Sequence, residues 1–111
     1  MKEMKLREVC DIVGVTRRAV QCYEQEGLVT SIGKNKYGYL LYDEIAVERI
    51  QDIKMYQDFG FNLKKIKILL DTSKEEYVDL MNERLVEMEK HRMELEENIE
   101  KVKKLIFEKK E

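Results

Sequence analysis

The sequence predicts a mainly α fold: a helix-turn-helix, a small β-hairpin and a long C-terminal helix that pairs as a coiled coil. Three observations predict it. The 111 residues include no Pro and no Trp, and 40% of them are charged, a composition that favours helices. Short amphipathic stretches punctuated by Gly fill the first 70 residues. A heptad seam then runs to the C-terminus. The length suits one small domain with an appended helix, divided here into residues 1–72 and 73–111.

Leu6, Val9, Cys10 and Val13 follow the i, i+3, i+4, i+7 spacing of an amphipathic helix. Gly14 stands where a left-handed stop belongs. Thr16 is a good N-cap for a second helix, whose inner face is Ala19, Val20 and Tyr23 and which Gly27 ends. Two short helices joined at a Gly form a helix-turn-helix. At 100° per residue the opposite face of the second helix carries Arg17, Arg18, Gln21 and Gln25, with no acid among them. Arg reaches guanine O6 and N7, and Gln reaches adenine N6 and N7, when such a helix enters a major groove. A solvated helix face has the same composition, so this helix alone leaves both readings open.

The segments Leu28–Ile32 and Tyr39–Tyr42 have strand-like composition, and Gly33–Gly38 between them suits a hairpin loop. Lys34 and Lys36 with the adjacent Tyr39 suit a phosphate backbone, because Lys neutralises charge and the Tyr hydroxyl donates. An ordinary polar hairpin tip is the alternative. Asp43 caps a third expected helix running to about Phe59, with Ile45, Ala46, Ile50 and Ile53 inward, and Gly60 stops it. Asn62 caps a fourth, with Leu63, Ile66, Leu69 and Leu70 inward.

Ser73-x-x-Glu76 has the form of a capping box, after which nothing breaks the helix. Val78, Met81, Leu85, Met88, Arg92, Leu95, Ile99, Val102 and Ile106 alternate steps of three and four, and all but Arg92 are apolar. Burying one seam Leu, Ile or Met favours pairing by about 1.5–3 kcal/mol, so a partner is expected, and a second copy is the simplest one. Arg92 faces its counterpart in parallel and antiparallel pairs alike. It therefore leaves orientation open and is a candidate for setting register.

Residues 1–70 carry 12 Lys or Arg and 10 Asp or Glu, a modest +2 against −4 for the remainder. The N-terminal part is the better partner for a polyanion. No apolar run approaches a membrane span, and no apolar stretch follows the N-terminus, so a cytoplasmic, non-membrane location is expected. Two cysteines make no disulfide framework. Cys10 falls on an inward face, Cys22 flanks the second helix, and His91 has no Cys or His nearby. No metal site and no cofactor are expected. Nor is catalysis: the chain lacks a Ser-His-acid set, a phosphate-binding Gly loop and a paired-His motif.

Three stretches resemble the MerR family of bacterial transcription regulators. Val15-Thr16-Arg17-Arg18-Ala19-Val20-Gln21-Cys22-Tyr23-Glu24-Gln25-Glu26-Gly27-Leu28 is similar to that family's recognition helix. Gly38-Tyr39-Leu40-Leu41-Tyr42 is similar to its wing strand, and Phe59-Gly60-Phe61-Asn62-Leu63-Lys64-Lys65-Ile66-Lys67-Ile68-Leu69-Leu70 to the join of its third and fourth helices. The resemblance covers residues 4–72 without gaps, and a long helix follows as in the family. There are departures. The family usually has Arg-Tyr-Tyr where this chain has Gln21-Cys22-Tyr23, and Arg where it has Leu40. Those groups ordinarily hold phosphates, which implies fewer backbone contacts or different ones.

What the resemblance implies is a winged helix-turn-helix homodimer, joined by an antiparallel coiled coil, on an inverted-repeat operator in double-stranded DNA. Many members activate by bending a promoter, which costs about 1–6 kcal/mol over 20–30 base pairs, and RNA polymerase is then a further partner; others repress. With the residue reading, the expected DNA-contacting set is Thr16, Arg17, Arg18, Gln21, Tyr23, Lys34, Lys36 and Tyr39. The expected dimerisation set is Met81, Leu85, Met88, Arg92, Leu95, Ile99 and Val102. Metal-sensing relatives place cysteines near the ends of the dimer helix, whereas residues 23–111 here hold none, and no dedicated effector domain is expected. An architectural, phage- or chromosome-associated DNA-binding protein that recruits a partner through the coiled coil is the second reading. A coiled-coil adaptor that ignores DNA is the third.

Overall fold

The computed structural model describes residues 3–111, in which a winged helix-turn-helix of four short helices and a three-stranded sheet is followed by one long helix. The elements are β1 (Met4–Lys5), α1 (Leu6–Val13), α2 (Arg17–Gln25), β2 (Gly33–Lys34), β3 (Leu40–Tyr42), α3 (Glu44–Asp58), α4 (Leu63–Asp71) and α5 (Lys74–Lys110). They fall into two compact units, one ending at Asp71 and the other running from Thr72 to Glu111.

The helix boundaries follow local chemistry. Gly14 ends α1 at φ 80°, its N–H donating to the Cys10 carbonyl at 2.9 Å. Only glycine takes that conformation at no steric cost. Thr16 Oγ1 accepts the Ala19 N–H at 3.0 Å, Asp43 Oδ1 the Ala46 N–H at 2.8 Å, Asn62 Oδ1 the Lys65 N–H at 2.9 Å and Ser73 Oγ the Glu76 N–H at 3.2 Å. Each cap satisfies a donor that the first turn leaves orphaned, worth about 1 kcal/mol.

β3 is the centre of an antiparallel sheet in the order β1-β3-β2, with Met4 opposite Tyr42, Lys5 opposite Leu41, Gly33 opposite Leu41 and Lys34 opposite Leu40. Two points differ from the sequence reading. β1 is an additional strand, too short for any period to announce it. The first hairpin arm is not Leu28–Ile32 but Gly33–Lys34. The backbone of Leu28 is engaged elsewhere: its N–H donates to the Tyr23 carbonyl at 2.9 Å in the α2 cap, and its carbonyl accepts from Arg49 Nε. Leu28 and Val29 are buried as part of the core instead.

That core is Val9, Val20, Tyr23, Leu28, Tyr42, Ile50, Ile53 and Ile66, flanked by Val29, Ala46, Val47, Tyr56 and Leu69. Of the residues expected inward, Leu6, Cys10, Val13, Ala19, Leu63 and Leu70 are half-buried at its edge, and one is exposed. Ile45 is 69% exposed and Val47 is buried in its stead. In the first turn of α3, Ile45 lies 100° to the outer side of Ala46 while Val47 lies 100° to the inner side. Tyr56 meets Phe59 and Phe61 edge-on at centroid distances of 6.3 and 6.4 Å, closing the far end of α3.

The second unit is α5 itself. Thirty-seven residues span about 55 Å. None of them is buried on the single chain. Val78, Leu85, Met88, Leu95, Ile99, Val102 and Ile106 of the seam all stand exposed, and Met81 is half-buried. Arg92 interrupts the row, its Nε 3.9 Å from Glu96 Oε1 on the same helix. Among the described residues, no helix is long and apolar enough to cross a membrane.

Candidate nucleic-acid interface

The amphipathicity of α2 places its functional side chains. Val20 and Tyr23 are buried, so Arg17, Arg18, Gln21 and Gln25 on the other side are exposed. Thr16, the exposed N-cap, puts both arginines in the first turn, where no acid offsets them. There they add to the positive end of the helix dipole. Among the described residues, Arg18 and Gln21 have no hydrogen-bond or ion-pair partner, so their donors are open to a ligand.

The hairpin tip is a rigid presentation device. Asn35 Oδ1 accepts the N–H groups of Tyr37 at 2.9 Å and Tyr39 at 3.0 Å, and the Asn35 carbonyl accepts the Gly38 N–H at 3.0 Å. Gly38 sits at φ 81°, which lets the chain return into β3. Lys34, Lys36 and Tyr39 are all exposed on this frame. The Lys36 ammonium lies 5.1 Å from the Tyr37 ring centre and that of Lys5 lies 5.7 Å from the Tyr39 ring centre, both within cation–π range.

A groove of about 520 Å³ connects the two parts. Lys5, Arg7, Glu8 and Leu6 line it from β1 and α1, Arg17 from α2, and Gly38, Tyr39 and Leu40 from the hairpin. Of these, the sequence pointed to Arg17 and Tyr39 as binding candidates but not to Lys5 or Arg7. The available signal was slight: Arg7 is the one basic residue of α1 and sits on its polar face.

Tyr23 requires a correction. The phenol is 1% exposed and its hydroxyl donates to Gln57 Oε1 at 2.6 Å. It belongs to the core, not to the outer face of α2, because it shares the stripe of Ala19 and Val20. Tyr42 is likewise buried, its hydroxyl donating to Glu24 Oε1 at 2.5 Å, which fastens β3 to the end of α2. Burial raises both phenols above the ordinary tyrosine range, and the Glu24 hydrogen bond raises Tyr42 further. Burial also pushes the Cys10 thiol up, against the opposing field of Arg17. A raised thiol is a poor nucleophile and metal ligand. Among the described residues no group of three or more His, Cys, Asp or Glu is placed to hold a metal ion.

Residues 4–73, well over half the chain, match the profile of the MerR HTH family regulatory proteins. The chain belongs to the MerR family. It is 32% identical over 68 residues to the mercuric resistance operon regulatory protein of Bacillus cereus, covering 61% of this chain and 52% of that one. The MerR-family chain thus spans about half the length of that relative. Its fold is that of MtaN, the N-terminus of the Bacillus subtilis multidrug transporter activator, with TM-score 0.71 and 24% identity over 93% of this chain and 97% of that one. HiNmlR, a MerR family regulator lacking the sensor domain and solved bound to promoter DNA, superposes with TM-score 0.70 and 19% identity, over 89% and 80% of the two chains.

Proposed function

We propose that this chain is a homodimeric, sequence-specific transcription regulator. Two copies pair along α5, and their α2 helices enter the major groove at the two halves of an inverted-repeat operator. Arg17, Arg18 and Gln21 approach base edges there, while Thr16 caps the helix. Lys34, Lys36 and Tyr39 lie on the backbone. Met81, Leu85, Met88, Leu95, Ile99 and Val102 form the dimer seam, and Arg92 fixes its register. At a promoter, the bound dimer would act on RNA polymerase through the shape it imposes on the duplex.

The observation that carries this reading is the outer face of α2: two arginines and two glutamines, exposed, acid-free and, at Arg18 and Gln21, unpartnered. The apolar seam left bare on one chain supports the pairing. The experiment is selection of bound duplexes from random DNA by the purified protein. A palindrome with half-sites one helical turn, about 10 base pairs, or a multiple of it apart is the expected product. Failure to enrich any sequence would refute specific recognition.

A further inference from the structure

The groove between α2 and the hairpin holds more positive charge than the two elements on its flanks supply. Lys5 ends β1, Arg7 lies in the first turn of α1 and Arg17 opens α2, and all three line the same concavity. Glu8 is the one acid lining it, and its Oε1 accepts the Lys5 backbone N–H at 3.1 Å, an attachment that holds it against the chain. Like charges gathered in a concave surface raise the local potential and favour an anion there. Among the described residues Arg7 has no hydrogen-bond or ion-pair partner. Lys5 is steadied over the Tyr39 ring. Leu40, the hairpin residue lining the groove beside Tyr39, has no side-chain donor, and Lys5 and Arg7 add theirs from the β1–α1 side to those of Arg17 and Tyr39.

We propose that Arg7, assisted by Lys5, binds a backbone phosphate of duplex DNA in this groove. The proposal rests on the DNA-binding reading above. Arg17 of α2 and Tyr39 of the hairpin both line the groove, so a strand held by α2 and the hairpin tip would pass beside Arg7. A phosphate suits the planar, multi-donor guanidinium better than a base edge does, because bidentate Arg–phosphate contacts are short and charge-assisted. Arg7 is therefore an anchor that holds the duplex without reading it.

The test uses the full chain, a selected operator and an unrelated duplex, with Arg7→Gln and Arg7→Lys. One phosphate contact per copy, two per dimer, contributes about 1.8 to the slope of log affinity against log salt, hence about 60-fold in affinity at 0.1 M relative to 1 M salt. Arg7→Gln should weaken both duplexes by that same factor and flatten the slope accordingly, while Arg7→Lys retains most of the slope. The thermal midpoint should not move, since Arg7 is exposed. Replacing single phosphates by neutral methylphosphonates should reveal one position in each half-site that weakens the wild type but not Arg7→Gln. Unchanged affinity and slope in Arg7→Gln, with the wild type binding normally, overturns the anchor and leaves the regulator reading intact. A loss confined to the operator overturns it too, because Arg7 would then be reading sequence. A wild type that binds no duplex overturns both.

Discussion

Replacing Leu95 by Ala should loosen the dimer by an amount that the single chain already fixes. Leu95 leaves 52% of its surface exposed on one chain. Full burial of a Leu side chain is worth about 1.5–3 kcal/mol, so sealing the remaining half contributes about 0.8–1.5 kcal/mol per copy. A two-fold dimer contains the residue twice. The loss is then about 1.5–3 kcal/mol per dimer, a rise in dissociation constant of roughly 10- to 150-fold. Sedimentation equilibrium over nanomolar to high micromolar concentrations measures it. Glu97→Ala is the matched control: it lies 200° around the helix from Leu95 and should leave the constant unchanged. A Leu95→Ala protein that dimerises within twofold of the wild type would refute the seam. Equal weakening by both substitutions would show that α5 pairs through some other face.

Two further outcomes follow from the first unit. Arg18→Ala should weaken a selected operator by about 1–3 kcal/mol per half-site, relax the preference at one base pair in each half and leave unrelated duplexes almost unaffected; a binding titration against single-base variants decides it. Tyr23 and Tyr42 tie stability to alkaline pH. Their folded pKa values lie above the unfolded value, near 10, so folding favours the neutral phenols. That contribution is complete below about pH 10 and is lost as pH rises toward the folded values. Urea midpoints should therefore not respond to these phenols between about pH 7 and 9, and should fall above pH 10. The fall should be shallower in Tyr42→Phe, and a fall as steep as in the wild type would remove Tyr42 as its source.

The parts of this molecule that were legible in its sequence are those decided within a few residues. Thr16, Asp43, Asn62 and Ser73 cap helices because a short side chain reaches an N–H three positions on, and Gly14 takes a conformation that other residues avoid. The unbroken helix from Lys74 to Lys110 likewise needs no tertiary context, since no Pro or Gly interrupts it. Three features needed it. Leu28–Ile32 has the composition of a strand, but the α2 cap and Arg49 occupy the Leu28 backbone groups that a ladder would use. Ile45 and Val47 are equally apolar, and only the orientation of the first α3 turn separates them. Arg7 looks like any solvated cation on a helix until β1, α2 and the hairpin converge around it. Tyr23 stands both on the inner stripe of α2 and at a position that the family resemblance assigns to phosphate binding, and its packing follows the stripe.

Under the proposed function, two α2 helices joined through α5 read one face of a duplex together. The decisive measurement is binding to a selected operator with base pairs inserted between its two halves. Five added base pairs turn the half-sites to opposite faces, whereas ten restore the face and change only the distance. Affinity for the five-pair insertion should collapse to that of an isolated half-site. Full affinity for that duplex would mean that the two helices do not bind as a coupled pair.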